Sequence, residues 1–299
     1  PPALGVEKAR EAGGDTIPSS STGTPASSLA GNAAPAGLST YIFVPSRAPK
    51  GKVAQLRIFG ATVVSVDGSY EDTFELSRAA IDRWGWYNRN AAINPYLSEG
   101  KKTVTLEIME QLGWQVPDYI ALSVGDGCTI AGAWKGLKDL YAAGFIDRLP
   151  RLISVQAEGC CPINRAIQTG APWRPMEENT LADSIAVGVP RNPDKALNAI
   201  RESDGVAVNV SDGEILDAMR LLGRTQGVFG EPAGVTGTAG VKKALELGLI
   251  SPESTVVSIV TGNGLKDVEG GIRAAGEPLV VPPDMDALLS AFAEAGIAP

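Results

Sequence analysis

Residues 119–142 read YIALSVGDGCTIAGAWKGLKDLYA, and this stretch decides the fold class. Residues 119–124 form a nearly continuous apolar run, which is typical of a strand buried on both faces of a sheet. A polar glycine turn follows at residues 125–129, and residues 130–143 carry apolar side chains at helical spacing. A strand, a glycine turn and a helix in this order form the repeating unit of an α/β protein.

The same alternation of apolar runs and amphipathic stretches continues along the chain. Helices between apolar strands imply right-handed crossovers, so we predict mainly parallel sheets that are covered on both faces. The predicted strands are residues 40–44, 62–66, 119–124, 152–156, 206–210 and 255–260. The predicted helices are residues 4–12, 25–36, 52–59, 70–84, 97–112, 130–143, 212–226 and 235–247.

The charge balance excludes several classes of partner. Lys and Arg number 26 against 34 Asp and Glu, so the formal net charge is -8 and the basic stripe needed for nucleic-acid binding is missing. No apolar run approaches the ~20 residues that span a bilayer, and the N-terminus lacks the pattern of a signal peptide. Cys128, Cys160 and Cys161 show no Cys-x-x-Cys spacing. We therefore expect a cytoplasmic protein with no nucleic-acid or membrane partner.

The chain contains no histidine, which restricts the chemistry that it can carry out. Serine–histidine and cysteine–histidine nucleophile pairs and histidine-ligated zinc sites are excluded. Proton transfer must therefore come from a lysine or carboxylate with a shifted pKa, or from a cofactor.

Three polar turns that contain glycine are placed at the carboxyl ends of strands, the edge at which open α/β sheets bind ligands. Residues 19–24 suit a carboxylate, although helix capping alone would also explain them. Residues 125–129 suit a phosphate, although a plain tight turn competes. They do not match a Walker A loop, and Gly132 comes too late for the dinucleotide-binding fingerprint. The hypothesis of a nicotinamide-dependent dehydrogenase is therefore weak. In the third turn, residues 261–264, the Thr261 hydroxyl is suited to bind a ring nitrogen, although taken alone this stretch is only a glycine turn.

Six stretches taken in order resemble the fold-type II pyridoxal-phosphate (PLP) enzymes, and the threonine synthases among them most closely. This resemblance runs through nearly the whole chain. The stretches are STGT at 21–24, NRNAAINP at 88–95, EGKKT at 99–103, GDG at 125–127, GEPA at 230–233 and TGNGLKD at 261–267.

The resemblance implies a two-lobed fold like that of the tryptophan synthase β chain. We expect a smaller N-terminal lobe at residues 1–93, truncated at its start, and a larger C-terminal lobe with the cofactor phosphate loop at residues 94–299. It also implies a PLP-dependent lyase that converts a small amino-acid substrate, O-phosphohomoserine, and water to threonine and phosphate, in a homodimer.

The resemblance also assigns roles to residues of the three turns. Thr261 would bind the pyridine nitrogen of PLP, and Thr24 would contact its phenolic oxygen. The substrate carboxylate would be bound by Ser21, Thr22 and Gly23. The PLP phosphate would be bound by Gly125, Asp126, Gly127, Cys128 and Thr129.

Two departures from the family pattern leave alternatives open. The family usually has asparagine where Thr24 stands. Its Schiff-base lysine belongs to a Ser-Phe-Lys-Asp-Arg-like motif before the helix that here begins near Leu4, so the catalytic lysine is expected upstream of residue 1. The alternatives are a related amino-acid deaminase or β-replacement enzyme, and a non-catalytic fragment that binds PLP or an amino acid.

Overall fold

The computed structural model describes residues 2–21, 23–90 and 93–297, and its strands form two parallel sheets. The strands are β1 (Ser19–Ser20), β2 (Tyr41–Pro45), β3 (Thr62–Val66), β4 (Tyr119–Ser123), β5 (Arg151–Ala157), β6 (Val206–Val210) and β7 (Val256–Ser258). The helices are α1 (Pro2–Glu11), α2 (Thr24–Ala33), α3 (Lys50–Ile58), α4 (Tyr70–Trp84), α5 (Pro95–Lys101), α6 (Thr103–Gln111), α7 (Cys128–Ala142), α8 (Pro162–Thr169), α9 (Pro193–Glu202), α10 (Asp212–Gln226), α11 (Pro232–Glu246), α12 (Val268–Ala275) and α13 (Met285–Glu294). Short 3₁₀ helices lie at Asp183–Ile185 and Gly264–Lys266.

The small sheet has the strand order β1-β2-β3, and all of its pairs are parallel. Its core lies where β2 packs against helices α1, α2 and α3, with Leu29, Ile42 and Leu56 almost fully buried. Helix α4 contacts β1 and β2. β1 is buried but only two residues long, and β3 is half exposed along its length, so β2 is the one long, well-buried strand of this sheet.

The large sheet has the order β6-β5-β4-β7, again with parallel pairs throughout. Every residue of β4 is buried, as the apolar run predicts. Ile120 and Leu122 pack in one core cluster with α7 and α9, whereas Tyr119 and Ala121 pack in another with α10 and α11. Helices therefore cover both faces, which is why the strand reads as continuously apolar.

The prediction of one helix over residues 97–112 is wrong. The structure has two helices, α5 and α6, which meet at Lys102. Gly100 is a weak helix former, and the hydroxyls of Thr103 and Thr105 donate hydrogen bonds to the backbone carbonyls of Gly100 and Lys102. Such side-chain bonds compete with the regular helical pattern, which is interrupted there.

Helix α5 contacts both α1 and α7. It therefore joins the elements around the small sheet to those around the large one. The lobe boundary expected between residues 93 and 94 stays a prediction. Within residues 2–21, 23–90 and 93–297, no helix has the length and apolar character to span a lipid bilayer.

Candidate functional site

A cavity of about 320 Å³ receives residues from the ends of strands in both sheets. It brings together the described residues to which the resemblance assigns cofactor or substrate contacts, which are Ser21, Gly23, Gly125, Asp126, Gly127, Cys128, Thr129 and Thr261. Thr22 and the side chain of Thr24 lie outside the part of the chain that the structure describes. Turns that are separated by more than 100 residues in the sequence thus share one cavity.

The turn at residues 125–127 has a backbone that only glycine can form. Gly127 has φ of 83°, and a Cβ there would lie 2.7 Å from the Asn192 carbonyl oxygen and 2.8 Å from the Ala196 Cβ. A Cβ on Gly125 would lie 3.0 Å from the Cα of Ile185. The turn is therefore packed tightly against the segment that leads into α9.

Helix α7 begins at Cys128, directly after this turn, and within the described residues no side chain caps it. The first N–H groups of a helix have no partner inside the helix, and they carry the positive end of its dipole. Since Cys128 and Thr129 line the cavity, the helix start offers these N–H groups to an anion there.

The Asp126 carboxylate anchors the turn. It accepts the Arg191 backbone N–H at 3.1 Å and lies 3.4 Å from the Tyr70 hydroxyl. Removal from water raises the pKa of both Asp126 and Tyr70. The Asp126 side chain therefore fixes the turn against neighbouring segments, and the N–H groups are left as the donors for an anion.

The first turn packs against the large-sheet side of the cavity. The Gly23 N–H donates to the Ser21 hydroxyl at 3.2 Å, and a Cβ on Gly23 would lie 3.0 Å from the Ser184 hydroxyl. The third turn is tied to the start of α11, because the Glu231 N–H donates to the Gly262 carbonyl at 3.0 Å. Thr261 is thereby held at the rim of the cavity.

A buried lysine that the sequence did not single out contacts three residues of the cavity wall. Lys52 of α3 lies 3.2 Å from the Glu231 carboxylate and 3.7 Å from Asp183, and it donates to Ser184 at 2.9 Å. The Lys52 and Glu231 side chains are 5% and 3% exposed. Nothing in the sequence around Lys52 marks it, since its partners are more than 100 residues away.

Two further ion pairs join the two sheets' elements at the same place. Arg191 binds Glu71 of α4 through both guanidinium nitrogens, and its charge lies 4.0 Å from the centre of the Phe74 ring. Arg47, after β2, binds Glu178. The approach of the two sheets therefore depends on charged side chains around the cavity.

Tyr70, Arg89 and Lys101 also line the cavity, although none of them was among the site residues predicted from the sequence. Arg89 and Lys101 lie in stretches that carry the family resemblance, and this resemblance was the sequence signal that could have identified them. Lys101 was expected in the first turn of a long helix; it is instead the last residue of α5. Tyr70 had no local signal beyond its place at the start of α4.

The chain matches the family described as Pyridoxal-phosphate dependent enzyme over residues 3–262. The chain belongs to this family. It is 42% identical to threonine synthase of Methanosarcina acetivorans over 97% of this chain and 72% of that protein. It is 39% identical to threonine synthase of Methanocaldococcus jannaschii, over 95% of this chain and 71% of that protein. The fold and the PLP dependence expected from the sequence are confirmed.

Solved structures support the fold independently. Diaminopropionate ammonia lyase from Escherichia coli superposes with a TM-score of 0.76 at 18% identity, covering 91% of this chain and 77% of that one. Maize serine racemase superposes with a TM-score of 0.74 at 23% identity, covering 91% and 81%. At such identities the likeness concerns the architecture.

The residues present fit the family's cofactor. PLP needs a site for its phosphate and room for its ring. The glycine turn, where a Cβ on Gly125 or Gly127 would meet its neighbours, and the uncapped start of α7 supply the first, and the cavity between the three turns supplies the second.

Proposed function

We propose that this protein catalyses the threonine synthase reaction, in which O-phosphohomoserine and water give threonine and phosphate. The observation that carries the proposal is the convergence of the three predicted turns on one cavity. Relatives that are 35–42% identical and bear the name threonine synthase support it.

Each turn has a distinct part in this proposal. The N–H groups at the start of α7 and the turn before it, Gly125 to Thr129, bind the PLP phosphate. Thr261 binds the pyridine nitrogen, and Thr24 contacts the phenolic oxygen. Ser21, Thr22 and Gly23 bind the substrate carboxylate. When bound, PLP supplies an electron-accepting ring that stabilises negative charge on substrate carbons.

The protein's own groups must then orient the substrate and move protons without histidine. Two anion-binding turns at fixed positions orient the cofactor and the amino acid relative to each other across the cavity, which lowers the entropic cost of reaction. A lysine at the cofactor carries out the proton transfers, in agreement with the absence of any side chain with an ordinary pKa near 7.

Borohydride reduction after incubation with PLP tests the cofactor assignment. We expect one reduced adduct by intact mass, and peptide mapping decides between Lys101, which lines the cavity, and a lysine outside residues 1–299. Absence of any adduct would contradict PLP catalysis by this protein.

Turnover tests the reaction itself. The PLP-loaded protein should release equal amounts of threonine and phosphate from O-phosphohomoserine. Formation of a 2-oxo acid and ammonia from serine or threonine, without this release, would assign a deaminase instead.

We also propose a homodimer, located in the cytoplasm. Leu265, Val268 and Ile272 are about half exposed or more, and they lie beside Phe229, whose ring packs over Gly264 and Gly271. Such a patch is typical of a protein interface. Cys160 and Cys161 are buried and form no disulfide within the described residues, which suits a reducing compartment. Sedimentation at equilibrium measures the mass of the assembly.

A further inference from the structure

Gln156 is a buried polar residue of the large sheet that lies outside the cavity. It belongs to β5, and it is fully buried. Its side-chain carbonyl accepts the backbone N–H of Asn164, near the start of α8, at 2.8 Å. Its side-chain NH₂ group donates to the backbone carbonyl of Val124 at 3.3 Å. Gln156 therefore joins the start of α8 to the residue that directly precedes the glycine turn of the candidate site.

A second buried amide keeps the start of α8 in place. The Asn164 side chain donates to the backbone carbonyls of Ser154 at 3.1 Å and Val208 at 2.9 Å. Its side-chain carbonyl accepts the Ser154 hydroxyl at 2.6 Å. These bonds attach α8 to β5 and β6, so the N–H group that Gln156 accepts has a fixed position. The Gln156 amide is thereby oriented toward Val124.

An amide is costly to bury, and an apolar side chain would fill the same space without that cost. A glutamine here is explained by a polar group that needs a partner. Regular pairing of β4 with β5 ends at Ser123 and Val155. The next residue, Val124, is buried, and a buried backbone carbonyl without a donor is unfavourable. The Gln156 side chain supplies that donor where the strand pairing stops.

The Val124 carbonyl also determines the direction of the first N–H group of the glycine turn. It shares one planar trans peptide group with the Gly125 N–H, and the two groups point in opposite directions. Because Gln156 of β5 binds the carbonyl, the Gly125 N–H is directed away from β5. Gly125 lines the cavity, and no backbone carbonyl of the described chain accepts its N–H. This N–H is therefore available to an anion.

We propose that Gln156 is a positioning residue for the cofactor, because it holds the peptide between Val124 and Gly125 in the orientation that presents the Gly125 N–H to the PLP phosphate. This rests on the proposed function, which assigns that phosphate to the turn before α7. Gln156 touches neither PLP nor substrate and acts through the turn. Asp126, which accepts the Arg191 N–H, fixes the next residue of the same turn.

The test compares PLP with pyridoxal. The two compounds have the same ring and aldehyde, but pyridoxal has a hydroxyl in place of the phosphate, so the ratio of their dissociation constants isolates the phosphate interaction. Both constants are measured by absorbance titration for wild type, Gln156→Met and Asn164→Leu. Asn164→Leu is the matched control, since it removes an equally buried amide of the same network whose side chain does not contact Val124.

We expect Gln156→Met to bind PLP about 10-fold more weakly than wild type, because a hydrogen bond to a charged group is misaligned. Its affinity for pyridoxal should change by less than about twofold. Asn164→Leu should lower the stability, because it leaves buried groups unpaired, but should keep the ratio of the two constants within about twofold of wild type. Urea unfolding measures the stability of each variant separately.

A measurement on the wild-type protein does not depend on how the variants fold. Labelling with ¹³C-carbonyl valine and ¹⁵N-glycine selects Val–Gly pairs, and the sequence has two, Val124–Gly125 and Val187–Gly188. PLP should move the Gly125 amide proton to lower field than pyridoxal does, because phosphate oxygens are strong acceptors. The Gly188 N–H, which donates to Glu178 at 3.3 Å, is the internal control and should respond equally to both compounds.

Two results would overturn the inference. Equal losses for PLP and pyridoxal in Gln156→Met, or the same change of their ratio in Asn164→Leu, would show that Gln156 has a structural role only. A Gly125 amide that responds equally to both compounds would show that its N–H does not bind the phosphate. Neither result changes the turnover of O-phosphohomoserine by the wild-type protein, and that turnover decides the proposed function separately.

Discussion

The large sheet and the small sheet differ in how completely their neighbours bury them. In the large sheet β4 is buried along its whole length between two helical layers. In the small sheet β1 has two residues and β3 is half exposed. The proposed cofactor phosphate turn follows β4, whereas the proposed carboxylate turn follows β1. A strand that is buried along its whole length thus positions the proposed cofactor site. The small sheet, which is less completely buried, positions the proposed substrate turn.

Ion pairs help to attach the small sheet to the large one, together with helix α5, which contacts α1 and α7. Lys52, Arg47 and Arg191 each form pairs between elements of the two sheets around the cavity. Removal of one member of a buried ion pair leaves the other charge without a partner. Such a change should therefore lower the free energy of unfolding more than removal of an isolated surface charge. The predictions below test this contrast between buried packing and charged attachment.

Lys52→Met should have the largest effect. It leaves the carboxylates of Glu231 and Asp183 without their buried partner, and removal of one member of a buried pair costs about 3–5 kcal/mol of unfolding free energy. Urea unfolding measures the loss. Lys50→Met, at an exposed position of the same helix, is the control and should change stability by less than about 0.5 kcal/mol.

The double variant Lys52→Met with Glu231→Gln sharpens this test. If the attachment is ionic, the second change should recover part of the loss, since it removes the unpaired charge. Equal stability of Lys52→Met and Lys50→Met would show that the two sheets do not depend on this cluster.

Gly127→Ala should come next. A Cβ would force a left-handed backbone on alanine and would meet Asn192 and Ala196, so we expect a loss of roughly 2–4 kcal/mol. PLP affinity should fall as well, because the turn would move. Gly144→Ala is the matched control, with φ of 76° and nothing within 4 Å, and should show only the backbone strain of about 1 kcal/mol. Similar losses in unfolding and PLP titrations would contradict the close approach at Gly127.

The smallest loss of stability is expected from removal of a helix cap, and each sheet has a neighbouring helix in which this can be tested. Ser69 caps α4 and Ser211 caps α10, each in a reciprocal capping box. Replacement of either by alanine should cost about 1 kcal/mol, because capping is a local interaction. Thermal unfolding of both variants measures it. A much larger cost at Ser69 would mean that the small sheet depends on its helix caps more than its packing suggests.

The pH dependence of the Ser211 cap has a definite sign. Burial raises the pKa of Glu214, but hydrogen bonds from Ser211 and Lys243 outweigh it and leave the pKa below its ordinary value. A lowered pKa gives stability above about pH 4.5 that is lost as the pH falls through the folded-state pKa. The difference between wild type and Ser211→Ala should therefore shrink in acid. A constant difference would contradict the role of the Glu214 carboxylate.

The sequence predicted the strands well because short runs rich in β-branched residues are typical of strands. Residues 206–210 and 62–66 were placed with their observed ends, and β4 within one residue. It missed β1, whose two serines resemble a loop. It also missed α8 and α9, which begin at Pro162 and Pro193 after irregular segments and show polar faces. The residue types there do not distinguish a short helix from a turn.

The turns of the candidate site were predictable, whereas the residues that connect them were not. Gly125, Ser21 and Thr261 stand out in the sequence, because glycine and hydroxyl residues directly after a predicted strand indicate a ligand-binding turn. By itself the sequence thus determined an α/β chain of the PLP family without histidine chemistry. Only the tertiary structure decided that Lys52 meets Glu231 and that Arg89 lies buried beside the cavity. Burial and charge compensation depend on which distant segments meet in space, and no local spacing contains that information.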